Sequence, residues 1–331
     1  MKAVVQERFG PPDSLRLREI DRPATGAGRV LVRVHAAAVN PYDWHMLRGD
    51  PYAARLTGGM GLTRPKHRVA GIDAAGVVER VGAGVREFRP GDPVLGFCPG
   101  AFAEYAATTA ALLVPRPAGL TFEQAAALPM GAVTALRGIR TRTVGRVRAG
   151  QRVLVNGAGG GVGTFAVQIA AVLDAEVTGV CGARNTGLVR SLGAAHVIDY
   201  AREDFTEAGE RYDVVLDLVG NHPLGRLRRV LTPAGVLVAA GGGAPGRVFG
   251  AIGAMAKVAA VNAVTRHRLR PILPATPDGP VHEDLLAVTA LVDAGQLTPV
   301  IGRTFALAGT AEAVRHVEEG HARGKTVITV P

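Results

Sequence analysis

The sequence predicts an α/β protein built from two parts, a barrel-like all-β unit and a doubly wound parallel sheet. Three observations predict it. Residues 1–124 carry short apolar runs punctuated by Gly and Pro. The middle of the chain alternates β-type runs with helical patterns. At residues 153–163 the stretch VLVNGAGGGVG joins a β pattern to a glycine-dense turn, and a helix follows.

Taken in order, the β-type runs of the first part are 30–34, 76–81, 93–97 and 103–106. A helix is expected after Thr121, whose hydroxyl caps it with Glu123 and Gln124 in the first turn. Residues 153–155 then form a strand, 157–163 the turn and 164–173 a helix. Further strands are expected at 176–180, 195–198, 212–218 and 235–240, with a helix at 186–193. The low-charge run 248–264, interrupted by Lys257 and Asn262, is too short and weakly apolar for a membrane span and reads as a buried or site-covering helix. Residues 269–274 read as an edge strand, 283–294 as an amphipathic helix, and strands near Val300 and Val327 return to the first part. The expected domains are therefore 1–124, 125–277 and 278–331.

Composition bounds the function classes. A 47% hydrophobic fraction excludes wholesale disorder. Two cysteines, Cys98 and Cys181, stand far apart and cannot build a four-thiolate zinc lobe. The net charge of +10 and the cluster Arg137, Arg140, Arg142, Arg146, Arg148 and Arg152 raise the question of nucleic acid. With only 5% aromatic residues the chain lacks stacking platforms, so the cluster reads as a solvated face whose field favours an anionic cofactor. The opening MKAVVQERFG lacks the apolar run of a secretory signal, and a cytoplasmic location is expected.

The glycine turn points to a dinucleotide. Gly157, Gly160, Gly161 and Gly163 remove Cβ atoms where backbone approaches a pyrophosphate, Val162 packs beneath, and the following helix offers unpaired N–H groups. The alternative is a packing turn in another α/β fold. Enzymes for the non-phosphorylated cofactor place an acid about 20 residues further on, at the end of the second strand. Here that place holds Gly182, Arg184 and Asn185 with no acid, and Tyr200 stands on the same edge, which favours NADPH. Arg184 is otherwise the solvated start of a helix.

Segments spread through the chain then resemble one family. They are AAAVNPYDW at 36–44, GIDAAGVVERVGAGVREFRPGDPV at 71–94, AFAEYA at 101–106, LPMGAVTAL at 128–136, the glycine turn, SLGAAHVIDY at 191–200 and GHARGKTVITV at 320–330. In this order they resemble medium-chain dehydrogenases/reductases, in the zinc-independent quinone oxidoreductase (zeta-crystallin-like) and enoyl reductase branch. The resemblance implies a GroES-like catalytic domain split around a Rossmann domain, with the active site in the cleft between them. Where zinc-dependent relatives carry Gly-His-Glu this chain has Gly71, Ile72 and Asp73, and where they carry a catalytic Cys followed by His it has the 40–43 segment. Ile72 cannot bind a metal, and His35, His45 and His67 are scattered, so no zinc is expected.

Without a metal, quinones and α,β-unsaturated carbonyls are the expected substrates, because they spread the charge that hydride arrival creates. A zinc-dependent alcohol dehydrogenase with atypical ligands and a non-catalytic dinucleotide-binding protein are the rival readings. The resemblance places Thr134 near the nicotinamide, although a buried helix threonine bonding its own backbone fits equally. Gly241 and Gly242 end the fifth strand, where backbone approaches the nicotinamide, and Lys325 either reaches the cofactor or is an exposed strand-end charge. Asn40 and Asp43 either orient substrate or structure their loop, Asp43 by capping the turn after Pro41. Trp44 lines a pocket or fills the core. Tyr52 resembles in spacing the tyrosine that enoyl reductases place over the substrate, with Tyr42 a second candidate and a plain surface residue the alternative. Family members commonly pair through the nucleotide domain, so a homodimer is expected, with Pro271 and Pro274 limiting regular pairing.

Overall fold

The structure, a computed structural model, describes every residue except 57–59, 141–146, 241–247, 264, 266–267, 273–274, 278–279 and 321, and the side chains of 251, 252 and 255. The chain forms two compact units, Met1–Val133 with Ala275–Pro331, and Thr134–Pro274.

In the first unit β1 (Lys2–Val5) pairs antiparallel with β2 (Arg16–Glu19). The organising strand is β3 (Arg29–Val39), whose eleven residues serve three partners. Its first half pairs β6 (Tyr105–Thr109), while its whole length pairs β4 (Asp73–Val81) through two register shifts that bend the ladder. β5 (Pro93–Phe97) and β7 (Leu113–Pro115) continue from β4. Val30, Val32, Val34, Val78, Val94 and Phe102 fill the interior. Two helices interrupt this β-rich part, α1 (Pro41–Arg48) and α2 (Tyr52–Arg55). Two more helices follow β7, α3 (Phe122–Ala126) and α4 (Pro129–Arg140). Thr121 caps α3 as its hydroxyl accepts from the Gln124 N–H while the Gln124 side chain accepts from the Thr121 N–H. Because α3 packs on β3, β4 and the chain's last strand (Lys325–Thr329), the chain leaves this unit within α4, after Val133, rather than near residue 124.

The second unit holds β8 (Arg152–Asn156), α5 (Gly163–Val172), β9 (Glu176–Cys181), α6 (Thr186–Ser191), β10 (His196–Asp199), β11 (Tyr212–Asp217), α7 (Leu224–Arg229), β12 (Leu231–Ala240), α8 (Gly250–Ala263) and β13 (Arg268–Ile272). Among the described residues the strands form one parallel sheet in the order β10-β9-β8-β11-β12-β13. This is the doubly wound arrangement, whose ligand crevice lies beyond the carboxyl ends of the central strands. Gly163 to Ala170 of α5 are buried, which explains their apolar run. Of the two readings of 248–264, the buried helix does not hold, which leaves the site-covering one. Val248 and Phe249 are exposed, and on α8 Lys257 and Ala256, Ala259 and Ala260 face solvent while Val258 is buried. Its run of Ala and Gly lowers charge without supplying side chains large enough to anchor a core. No described helix is long and apolar enough to cross a membrane.

The chain then returns to the first unit with α9 (His282–Asp293), β14 (Ile301–Ala306), α10 (Thr310–Glu318) and β15 (Lys325–Thr329). α10 supplies the crossover that the parallel β14–β15 pair requires. β15 pairs antiparallel with the far half of β3, Val39 opposite Thr326, and so sets Lys325 beside the start of α1.

Candidate active site

In the second unit the glycine turn is a backbone cradle. Gly157 has φ +88°, and a Cβ on Gly163 would lie 2.1 Å from the Gly157 carbonyl oxygen, so only glycine closes the turn. The Gly160 N–H donates to the Gly157 carbonyl, Gly161 continues the turn, and half-buried Val162 is the N-cap of α5. On the adjoining strand end, Gly182 lets the chain turn into a short 3-10 helix, Ala183–Asn185. Arg184 is exposed there, while Asn185 is buried, with its Nδ2 only 2.6 Å from where a Gly159 Cβ would stand. The Tyr200 hydroxyl lies 3.1 Å from the position of a Gly182 Cβ, so its exposed ring covers that glycine. Asn185 Oδ1 and Thr164 Oγ1 are buried without a partner in the structure. Orphaned polar atoms beside a turn where a Cβ on Gly157, Gly159 or Gly163 would clash fit a dinucleotide with its pyrophosphate on the turn. Asn156 and Asp217, at the ends of β8 and β11, are bonded to each other at 2.8 Å, and Asp217 also accepts from the Val219 and Gly220 N–H groups. These bonds fix the rim of the crevice. Thr134 is buried in α4, and Gly241 and Gly242 lie outside the described residues.

In the first unit the structure assembles a cluster that pattern reading only half anticipates. Asn40 Nδ2 donates to Asp73 Oδ2 at 3.0 Å, and Lys325 Nζ donates to Asn40 Oδ1. Lys325 Nζ also stands 3.6 Å from Asp73 Oδ2, an ion pair longer than a hydrogen bond, and the Met130 N–H donates to the same oxygen at 3.2 Å. Asp43 Oδ2 accepts from the Asn40 backbone N–H at 2.7 Å, which holds the first turn of α1. All four side chains are buried, Asp73 completely.

Lys325 is thus not an exposed strand-end charge, and its ammonium is committed to Asn40 and Asp73. Asn40 has its amide nitrogen on Asp73 and its amide oxygen on Lys325, so its side chain is occupied within the protein. Trp44 stacks on His45 at 3.5 Å and packs against the core. His35 stacks on Phe122, and the three histidines do not converge. The segments that carry metal ligands in zinc-dependent relatives, 40–43 and 71–73, do meet, and they meet around an ammonium. Among the described residues no three His, Cys, Asp or Glu side chains come together as ligands. Asp73 is the member that pattern reading gave no role. The signal was present, because a carboxylate opening the apolar strand DAAGVV has to find a partner.

Burial dominates the ionisation of the cluster. It raises the Asp73 carboxyl, against the Lys325 charge, and lowers the Lys325 ammonium, against the Asp73 charge. Asp43 is raised from 3.8 to about 7 by burial, opposed by the Asn40 N–H and reinforced by the Asp73 charge. Burial pushes the Cys98 thiol up to about 12, so it stays protonated.

Tyr52 opens α2 and is 40% exposed. It follows Gly49, which ends α1 in the left-handed region at φ +63° and donates its N–H to the His45 and Met46 carbonyls. Tyr42 lies half-buried in the first turn of α1.

The raised Asp43 carboxyl predicts a stability profile. The folded state keeps this proton up to about pH 7 while the unfolded chain releases it near 3.8, so the Asp43 contribution to stability falls as pH rises between those values. Asp43→Asn keeps an acceptor for the Asn40 N–H and removes the titration. Urea unfolding at several pH values should show the wild type losing stability relative to Asp43→Asn, by an amount on the order of a few kcal/mol. Parallel curves for the two proteins would contradict the burial argument.

Comparison with known proteins agrees with this architecture. Residues 26–118 match the alcohol dehydrogenase GroES-like domain and residues 192–328 the zinc-binding dehydrogenase family. The chain is 34% identical to NAD(P)H oxidoreductase RTN4IP1, mitochondrial, of Bos taurus, covering 100% of this chain and 89% of that protein. It is 32% identical to the NADPH-dependent alkenal/one oxidoreductase, chloroplastic, of Arabidopsis thaliana, covering 99% and 79%. The solved quinone oxidoreductase from Coxiella burnetii superposes with a TM-score of 0.85 at 30% identity, over 100% and 99% of the two chains. The expectation of a cytoplasmic location does not stand, because the curated relatives are mitochondrial or chloroplastic proteins. That expectation rested on a missing secretory signal, which does not discriminate among the compartments that proteins reach by other routes. The shared folds, the cradle and the ordered matches make one assignment: the chain belongs to the medium-chain dehydrogenase/reductase superfamily, in its quinone-oxidoreductase and enoyl-reductase branch.

Proposed function

We propose that this chain transfers a hydride from NADPH to a quinone or to the β-carbon of an α,β-unsaturated carbonyl, without a metal ion. The observation that carries the reading is the Gly157–Gly163 cradle with Arg184 beyond the end of β9, no acid between Cys181 and Asn185, and Tyr200 just beyond Asp199 at the end of β10. When bound, the cofactor supplies the hydride. The chain supplies the rest. The turn and the N-terminus of α5 would hold the pyrophosphate, the Arg184 guanidinium would pair with the 2′-phosphate, Tyr200 would flank the adenosine, and the orphaned Asn185 Oδ1 would offer the cofactor an acceptor.

On an enone, hydride arrival leaves an enolate that needs a proton at carbon. Tyr52 donates its phenol proton, and its 40% exposure lets solvent restore it. A quinone becomes a hydroquinone anion, which takes its proton from water. The names of the relatives, which include quinone and alkenal/one oxidoreductases, support both substrate classes. Stopped-flow oxidation of NADPH against a panel of quinones and enones tests the reading, and tight binding with no turnover across the panel overturns it.

Three further outcomes are expected. Arg184→Ala removes a charge-assisted bond of roughly 1.5–3 kcal/mol, about 10- to 150-fold in NADPH affinity, while NADH binding barely changes. Equal weakening of both cofactors in a fluorescence titration would assign the residue to structure instead. Tyr52→Phe slows enone reduction by roughly 100-fold or more, the scale of a lost general acid, and leaves quinone reduction nearly intact. Surviving enone turnover would show that the acid is elsewhere. The proposal includes a homodimer paired along β13, the edge of the parallel sheet, where Pro271 is compatible with an edge position. Light scattering at micromolar concentration should give twice the chain mass, and a monomeric mass removes the dimer.

A further inference from the structure

We propose that Arg55 is a positioning residue for Tyr52, acting through the face of the phenol ring, an inference that rests on the proton-donor role proposed above. Burial does not hold Tyr52. It starts a helix of four residues and keeps much of its surface exposed, so its orientation depends on specific contacts. Arg55 supplies one. The guanidinium carbon stands 4.5 Å from the Tyr52 ring centroid and 4.2 Å from the Phe9 ring centroid, a cation between two aromatic faces.

Backbone bonds fix that cation in turn. Arg55 Nε donates to the Gly49 carbonyl at 2.8 Å and Nη2 to the Arg48 carbonyl at 3.2 Å, both at the end of α1. The planar fork suits two neighbouring carbonyls, which an ammonium cannot match. A Cβ on Gly49 would lie 2.7 Å from Arg55 Nε and from Phe9 Cδ1, so the glycine there admits the guanidinium as well as the left-handed turn. The loop carrying Tyr52 is therefore closed on itself, with Arg55 tied back to the helix from which the loop departs. α1 is itself anchored, by the Asn40 cluster at its start and by the Arg48–Glu318 ion pair at its end.

The chemistry gives this cation a second effect. As Tyr52 protonates the enolate, its O–H bond breaks, a C–H bond forms on the substrate, and the phenol becomes a phenolate whose charge spreads into the ring. A fixed cation over the ring is attracted more strongly to the phenolate than to the phenol. Arg55 keeps its own protons throughout, and water returns the proton to Tyr52.

A double-mutant cycle on enone kcat tests the inference. Arg55→Met should lower kcat by about tenfold, and Arg55→Lys should recover part of the loss, because it keeps the charge without the fork. In the Tyr52→Phe background Arg55→Met should cost nothing more, since there is no phenolate to form. The same tenfold cost in both backgrounds would assign Arg55 to structure alone, and an unchanged kcat in Arg55→Met would remove it from the reaction. If Tyr52→Phe alone retains enone turnover, the donor role falls, and this inference falls with it. Thermal melting checks that each variant folds. Should Arg55→Met not fold, Phe9→Leu opens one side of the sandwich and enters the same cycle, with the same additive result overturning the inference.

Discussion

The first unit depends on one buried ion pair. Asp73 opens β4, Lys325 opens β15 and Asn40 closes the gap between β3 and α1, so the cluster joins segments up to 285 positions apart in sequence. Removing two charges from water is costly, and a lone buried charge costs more than a pair. Asp73 is fully buried and Lys325 3% exposed, so neither is tolerated without the other. Loss of one partner leaves an uncompensated charge and typically destabilises by about 3–5 kcal/mol. The Met130 N–H on Asp73 extends the same constraint to the start of α4.

From that pair the geometry propagates outward. Asn40 is fixed at both ends of its amide, its backbone N–H is bonded by Asp43, and α1 therefore begins in one place and one direction. Gly49 stops the helix, and the short loop behind it carries Tyr52. An exposed tyrosine on a four-residue helix would ordinarily sample several orientations. Here Arg55 lies over its ring and is tied to the Arg48 and Gly49 carbonyls at the end of α1, whose start the buried cluster fixes.

What the sequence made legible was local. The glycine turn was readable because a Cβ at Gly163 is impossible on backbone grounds alone, and the cap at Thr121 because its partner Gln124 is three residues away. Strand alternation in the second unit was readable for the same reason, since each run carries its own pattern. The cluster was not, because nothing near Lys325 indicates that its partners are Asn40 and Asp73. α1 was also hidden. The order Asn-Pro-Tyr-Asp reads as a turn, and the same residues form a helix start, with Asn40 at the N-cap, Pro41 inside the first turn and Asp43 reaching back. The exposure of α8 was not legible, since hydropathy counts Ala and Gly as apolar without asking whether they fill space.

The cluster also bears on the kind of substrate the proposed site can serve. A metal ion would offer a concentrated positive charge to a developing alkoxide. The Lys325 ammonium faces Asp73, and Asp43 lies close enough for its charge to be felt at the same group. The ammonium is held by Asp73 and Asn40 in a buried position, so it is not left free to stabilise a localised oxyanion. Electrophilic assistance then has to come from neutral donors such as a phenol, and the substrate has to carry much of its own charge. Quinones and enones do this by conjugation, whereas a simple ketone does not, so the residues that stabilise the fold also narrow the chemistry.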